Sequence, residues 1–349
     1  MEILNEIYFG KKKELLAIED DFMKVQKKYA KCDLYHEYKY FKQLNADPAL
    51  RDIEDEIIEC FGFNAVTVSF GRDPSINAYT IPFVVDEQTE QYYDVNDNAH
   101  GLDQLRKATI VTSSGFKFDK KKFPVNLLVC ITLGCIFRPK NATGPKATIP
   151  ELVAVLLHEI GHTFSLSTFG SGANVARTNE KFADNFAAMY GYSEEIISFF
   201  NKLRINYGKI GSIVKDIPVA NIVLGLGKIT ADSLFRLFSN PDEHPALVTR
   251  VRYQIKQLES DLRYTPNINA KMKLEIQRQI NACKTAIQKF EHNSDNNSDR
   301  IIKAYQRNIQ TKIPGEAYIN AKTEQYASSD KINKNILKMY KNYKEESRR

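Results

Sequence analysis

The chain has 349 residues, of which 43% are hydrophobic and 26% are charged, and its formal net charge is +6. These values are typical of an ordinary soluble globular protein with a sizeable core, and they exclude a disordered or fibrous chain. Five scattered cysteines, an odd number, indicate a reducing compartment rather than a disulfide framework. The first residues predict no signal peptide, so we expect a cytoplasmic location or a place in a larger particle.

The N-terminal part of the chain has helical periodicity. Leu15, Ile18 and Phe22 recur at spacings of three and four residues, which predicts an amphipathic helix over residues 11–30. A second helix is predicted over residues 48–60. Together they form an N-terminal helical segment, residues 1–61.

The pattern changes to strands after this segment. Apolar and polar side chains alternate over residues 66–70, and further strands are predicted at 78–85, 109–113 and 125–133. An open edge of such a sheet can pair with an extended peptide backbone. Residues 78–81 and residues 126–131 are the two candidates for that edge.

The chemistry is concentrated in one stretch, L-V-A-V-L-L-H-E-I-G-H, which ends at His162. His158 and His162 lie one helical turn apart on the same face, so they can bind one zinc ion. Glu159 can take a proton from a water molecule at that metal. A capping box formed by Thr148 and Glu151 predicts where the helix starts. The alternative interpretation is a core helix with two hydrogen-bonded histidines.

A second helix is predicted over residues 179–188, with Thr178 or Asn179 as its cap. Glu180 and Asp184 share one face of this helix because they are four residues apart. Glu180 is the natural third metal ligand, and Asp184 would then hold a ligand histidine through its other ring nitrogen. The alternative is that both are solvated carboxylates.

Four motifs in order resemble the gluzincin zinc metallopeptidases of the HtpX and CAAX-prenyl-endopeptidase type. They are I-N-A-Y-T-I-P at 76–82, the helix that ends at His162, E-K-F-A-D-N-F-A from Glu180, and H-P-A-L-V-T-R-V from His244. The resemblance covers roughly residues 76–262 and implies a zincin-like metallopeptidase domain.

The resemblance also implies roles for single residues. One Zn²⁺ per chain would be held by His158, His162 and Glu180, with Glu159 as the general base. His244 and Arg250 would lie near the site, where they are the candidates for stabilising the oxyanion of the reaction.

The chain departs from the membrane members of that family. They carry transmembrane helices, whereas this sequence has no unbroken run of about 18 apolar residues. We therefore expect a soluble relative without a membrane span, and the family's membrane substrates are not carried over.

The zincin-like domain is assigned to residues 62–250, with a helical insert or lid at 193–243. Residues 251–349 are basic, and their apolar side chains repeat at helical spacing, which predicts a helical hairpin and tail. This region is interpreted as a brace or as a surface for a protein partner. Binding to nucleic acid is an alternative that no recognised motif supports.

The sequence therefore predicts an α+β protein that is a zinc-dependent endopeptidase acting on proteins or peptides. The alternative is a structural or binding component of a larger assembly, such as a phage particle, whose zincin fold has an inactive or structural zinc site. A nucleic-acid-associated factor that uses the basic tail is the third interpretation.

Overall fold

The computed structural model describes residues 11–74, 76, 78–86, 91–95, 99–112, 115–120, 124–137, 146–170, 176–202, 247–264 and 268–292. His244, most of the predicted insert at 193–243 and the tail beyond residue 292 lie outside these residues. Within them the chain is a mixed α+β protein with two small sheets and many helices.

The helices and strands come in groups along the chain, with helices at both ends and the strands between them. The helices are α1 (Lys12–Tyr29), α2 (Tyr38–Asn45), α3 (Pro48–Phe61), α4 (Ala99–Ala108), α5 (Ile149–Phe169), α6 (Ala176–Met189), α7 (193–202), α8 (Leu247–Tyr264) and α9 (Ala270–His292). The strands are β1 (Ala65–Gly71), β2 (Ala78–Asp86), β3 (Gln91–Asp94), β4 (Thr109–Thr112), β5 (Gly115–Phe118) and β6 (Val125–Thr132).

The main sheet has the strand order β1-β6-β2-β3, and β4 and β5 form a separate two-stranded sheet. β1 runs parallel to β6, whereas β2 is antiparallel to both β6 and β3. Because β6 lies between β1 and β2, residues 126–131 are not an edge, and that candidate is wrong. β2 pairs with β3 from Phe83 onward, and the oxygen of Pro82 accepts a hydrogen bond from the Val95 amide, so within the described residues only its first part, 78–81, has a ladder on one side.

The core is built around α5 and a group of aromatic rings. Phe164 of α5 stacks on Phe118 of β5, with ring centroids 4.4 Å apart, and on Phe186 of α6 at 5.4 Å. One continuous cluster of buried apolar residues extends from Leu15 in α1 to Cys283 in α9. The boundary proposed between residues 250 and 251 therefore falls inside α8, within a shared core.

Most of the elements predicted from periodicity are confirmed. α1, α3 and strands β1, β2, β4 and β6 lie within two residues of their predicted bounds. Two short helices and two short strands, α2, α4, β3 and β5, were not predicted from the sequence. α6 starts at Ala176, so the predicted cap at Thr178 or Asn179 is wrong.

α5 is the one helix in the described part of the chain that is long and apolar enough to cross a membrane. The sequence of α5 contains no unbroken apolar run of about 18 residues, because polar residues interrupt the second half of the helix. Within the protein, 78% of the most apolar 18-residue stretch of α5 is buried. Such burial is typical of a core helix in a globular protein.

Candidate metal centre

The helix that carries the site is fixed at its start by local chemistry. The hydroxyl of Thr148 accepts a hydrogen bond from the Glu151 amide, and the Glu151 carboxylate accepts one from the Thr148 amide at 2.7 Å. This is the predicted capping box. Lys202 also donates to the Glu151 carboxylate at 2.7 Å, which ties α7 to the first turn of α5.

A small residue in α5 allows α6 to approach closely. A methyl group built on Gly161 would lie 2.8 Å from Cβ of Phe186 and 2.9 Å from Cα of Ala183. The two helix backbones therefore pass closer than any larger side chain at position 161 permits. Glu180 lies one turn before Ala183, so this crossing brings its carboxylate to the two histidines.

Three candidate ligands converge at this crossing. The Nε2 atoms of His158 and His162 are 3.0 Å apart, and Glu180 places one carboxylate oxygen 3.8 Å from the first and the other 3.4 Å from the second. Tetrahedral zinc with bonds of about 2.0–2.1 Å needs ligand atoms about 3.3 Å apart. The observed separations, which involve both oxygens of Glu180, bracket that value, so the Glu180 carboxylate lies within reach of a metal ion held by the two histidines.

Glu159 lies beside the two histidines. One ligand atom each from His158, Glu159 and His162 lie within 4.8 Å of one another, and this group can hold a metal ion. His158 is buried, whereas the side chain of His162 is 25% exposed. The site is therefore open to solvent on the side of Glu159 and His162.

Asp184 contacts the back of the first histidine, as predicted. One of its oxygens is 3.1 Å from Nδ1 of His158. A carboxylate at Nδ1 favours the tautomer that leaves Nε2 free to bind a metal. The orientation of His158 thus depends on a residue of the neighbouring helix.

Arg250 is brought into the site, but behind the ligands. Its guanidinium donates two hydrogen bonds to Asp184, of 2.9 and 2.6 Å, and lies 3.1 Å from Glu180. Its contacts are those of a residue that positions the two carboxylates, rather than of one that faces an oxyanion. Burial opposes ionisation of Asp184, but the charge and hydrogen bonds of Arg250 and the contact with His158 hold the pKa of Asp184 below its usual value.

An aromatic ring of α7 covers this network. Phe200 lies under the guanidinium of Arg250, with the ring centroid 3.7 Å from Cζ, and makes an edge contact with His158 at 5.4 Å. Phe200 was not predicted from the sequence, because no local pattern sets it apart from other aromatic residues.

Three carboxylates surround the histidines, with one guanidinium among the described residues of the site. This excess of negative charge suits a divalent cation.

A cavity of about 200 Å³ adjoins Glu159 and His162. Its other walls come from β2, α5 and α6 and consist of Thr80, Pro82, Thr163, Leu166 and Asn179. The hydroxyl of Thr80 donates to the main-chain oxygen of Glu159 at 3.1 Å, which joins the half-open part of β2 to the helix of the site. The packing of three elements brings these wall residues together, and no local pattern in the sequence marks them as neighbours.

No family model, curated protein sequence or solved structure matches this chain.

Proposed function

We propose that the chain is a zinc-dependent endopeptidase with a zincin-like fold, in which His158, His162 and Glu180 hold one Zn²⁺. The observation that carries the proposal is the convergence of two imidazole nitrogens and a carboxylate at separations of 3.0 to 3.8 Å, beside a further glutamate. Two nitrogens and one oxygen are the donor set of a catalytic zinc site, in which a fourth position stays open.

The chemistry that zinc supplies when it is bound is Lewis acidity, which polarises a peptide carbonyl and lowers the pKa of water to about 7. Glu159 takes the proton from the attacking water and passes it to the leaving amine. Its place beside the first histidine, on the open side of the site, suits this role.

Asp184 and Arg250 keep the ligands in place. One oxygen of Asp184 lies 3.1 Å from Nδ1 of His158, and Arg250 holds Asp184 and Glu180 at fixed positions by contacting both. Fixed ligands are needed for an open metal site, because a small displacement changes its coordination.

The half-open segment of β2, residues 78–81, supplies a place for the substrate backbone. It passes the cavity, and Thr80 and Pro82 line it next to Glu159. A peptide added to this segment as an antiparallel or parallel strand would bring its carbonyls past the zinc ligands. We therefore propose a protein or peptide in extended conformation as the substrate.

The first experiment is the metal content of the purified full chain, measured by elemental mass spectrometry. We expect about one zinc per wild-type chain, a large loss in Glu180→Ala, and no loss in Glu59→Ala, which removes an exposed glutamate of α3. No zinc in protein purified without chelator, and none taken up on reconstitution, would overturn the proposal.

The second experiment is cleavage of a mixed peptide library, followed by mass spectrometry. Wild type should cleave, whereas Glu159→Gln should keep its zinc and lose cleavage by a factor of about 10² or more. Full activity of Glu159→Gln would remove this residue from the role of general base. Zinc binding with no cleavage at all would instead favour a structural metal site in a larger assembly.

A further inference from the structure

One hydroxyl in α5 behaves differently from its neighbours. Ser, Thr and Asn side chains in helices usually bond to main-chain oxygens one turn back. Three of them in the second half of α5 do so at 2.7 to 3.0 Å: Ser165, Ser167 and Thr168. Thr163 does not, and the oxygen four residues back, that of Glu159, accepts a hydrogen bond from Thr80. The Thr163 hydroxyl is fully buried without a hydrogen-bond partner in the described part of the chain.

A second polar atom of the same cavity wall is in the same state. The amide nitrogen of Asn179 donates to the main-chain oxygen of Gly170 at 3.1 Å, which fixes the orientation of the amide. Its other atom, Oδ1, is buried and accepts no hydrogen bond from the residues that the structure describes. Buried polar atoms in native proteins almost always have a partner, so each exception calls for an explanation. Both exceptions here line the cavity beside Glu159.

We propose that Thr163 and Asn179 form a polar subsite of the cleft, which binds an uncharged substrate side chain with a hydrogen-bonding end, such as glutamine or asparagine, next to the scissile bond. The inference rests on the proposed peptidase function. Asn179 Oδ1 is an acceptor only, so it requires an N–H or O–H of the substrate, and the Thr163 hydroxyl can donate to a substrate oxygen. A carboxamide supplies both groups at once.

The remaining walls agree with this chemistry. Pro82 and Leu166 offer apolar surface to the methylene groups of the side chain. The cavity walls contain no lysine or arginine among the described residues, and Glu159 adds a carboxylate. An ionised glutamate side chain has no hydrogen to donate to Asn179 Oδ1 and enters beside the Glu159 carboxylate, which is unfavourable.

The test is peptide binding to the full-length Glu159→Gln chain, measured by fluorescence polarisation. The probes are fluorescent peptide pools, random except for one position that holds glutamine, methionine or glutamate. We expect that at one position the glutamine pool binds about tenfold more tightly than the methionine pool, which has nearly the same length but no amide. The glutamate pool should bind more weakly than the glutamine pool even though Glu159→Gln removes the like charge, because an ionised carboxylate cannot donate to Asn179 Oδ1.

Two further substitutions in the same background locate the preference. Thr163→Val keeps the shape of the side chain and should reduce the preference for glutamine to about twofold or less. Thr168→Val makes the same chemical change five residues further along α5, outside the cavity, and should leave the preference unchanged. Asn179→Leu should abolish the preference, and its circular dichroism spectrum shows whether the fold is kept.

Equal binding of the glutamine and methionine pools at every position would overturn the subsite, as would no binding of any pool or an unchanged preference in Thr163→Val. These outcomes are separate from those of the proposed function. A wild-type chain that holds zinc and cleaves peptides without such a preference keeps the peptidase and loses the subsite. A chain that shows the preference but neither holds zinc nor cleaves keeps the subsite for peptide binding and loses the peptidase.

Discussion

The ion pair between Arg250 and Asp184 provides a quantitative test of how the site is held together. Arg250→Met keeps apolar contact with Phe200 but removes two hydrogen bonds, of 2.9 and 2.6 Å, from a carboxylate that is 2% exposed. Breaking a buried ion pair from one side costs about 3–5 kcal/mol, because the remaining charge stays buried without compensation. Two hydrogen bonds to a charged group, at about 1.5–3 kcal/mol each, give a similar figure. We therefore expect the free energy of unfolding to fall by about 3–5 kcal/mol.

The assay is urea unfolding of the full chain, followed by circular dichroism in a buffer with chelator. It compares wild type, Arg250→Met, Asp184→Asn and the double variant. The double variant should lose about 2–3 kcal/mol less than the sum of the single variants, because it also removes the Asp184 charge that Arg250→Met leaves unpaired; the lost contact between Arg250 and Glu180 is common to both variants that lack Arg250. Lys284→Met is the matched control, since its pair with Glu259 is about half exposed on both sides and should contribute about 0.5 kcal/mol or less.

A fall in the free energy of unfolding below about 1 kcal/mol in Arg250→Met, or additive losses in the double variant, would refute this coupling between Arg250 and Asp184. Either result would mean that Asp184 does not depend on the guanidinium for its charge in the folded protein. That would contradict the low pKa which the contact with Arg250 gives this carboxyl.

Three further predictions concern the helices around the site. Gly161→Ala should destabilise the chain by about 1–3 kcal/mol and weaken zinc binding, because the added methyl group would lie 2.9 Å from Cα of Ala183. Urea unfolding and zinc titration measure the two effects, and unchanged zinc affinity would show that the helix crossing does not set the position of Glu180. Asp47 caps α3 and accepts hydrogen bonds from Lys28 and the Ala49 amide; burial opposes its charge, but these bonds hold its pKa below the usual value. The stabilisation that ionised Asp47 gives the folded protein should therefore be complete above about pH 4 and disappear as the pH falls through the lower folded pKa. In urea unfolding, the stability difference between wild type and Asp47→Asn should shrink from pH 7 to pH 3. A difference that grows on acidification would contradict this sign. Phe164→Ala should cost about 3–5 kcal/mol in the same assay, since the ring is fully buried among five other aromatic rings. A cost below about 1 kcal/mol would show that the surrounding residues fill the space left by the ring.

Local sequence was enough to predict the part of the site that lies on one helix. The spacing of His158 and His162 places both on one face wherever the helix packs, because the period of an α-helix is a property of the backbone. The start of that helix was also predictable, since the capping box of Thr148 and Glu151 involves residues three apart. Glu180 and Asp184 could be assigned to one face of α6, although the first residue of that helix was not predicted correctly.

Long-range pairing of strands was not visible in the sequence. Residues 78–81 and 126–131 have equally strand-like patterns, and both were candidates for the open edge. The structure decides between them, because β6 takes the interior place beside β1 and leaves the first half of β2 with one partner among the described residues. Periodicity reports which face of a strand is buried and carries no information on which strand lies next to it.

The sequence by itself determined the type of chemistry: two histidines one turn apart, a glutamate between them, and two carboxylates on a second helix. Only the tertiary structure decided which groups meet. The close crossing at Gly161 brings Glu180 to the histidines, and Arg250, distant in sequence, reaches behind it to hold Asp184. The physical reason is that helix geometry is fixed by bonds between near neighbours in the chain, whereas a metal site depends on distances between elements, which side-chain packing sets to within a fraction of an ångström.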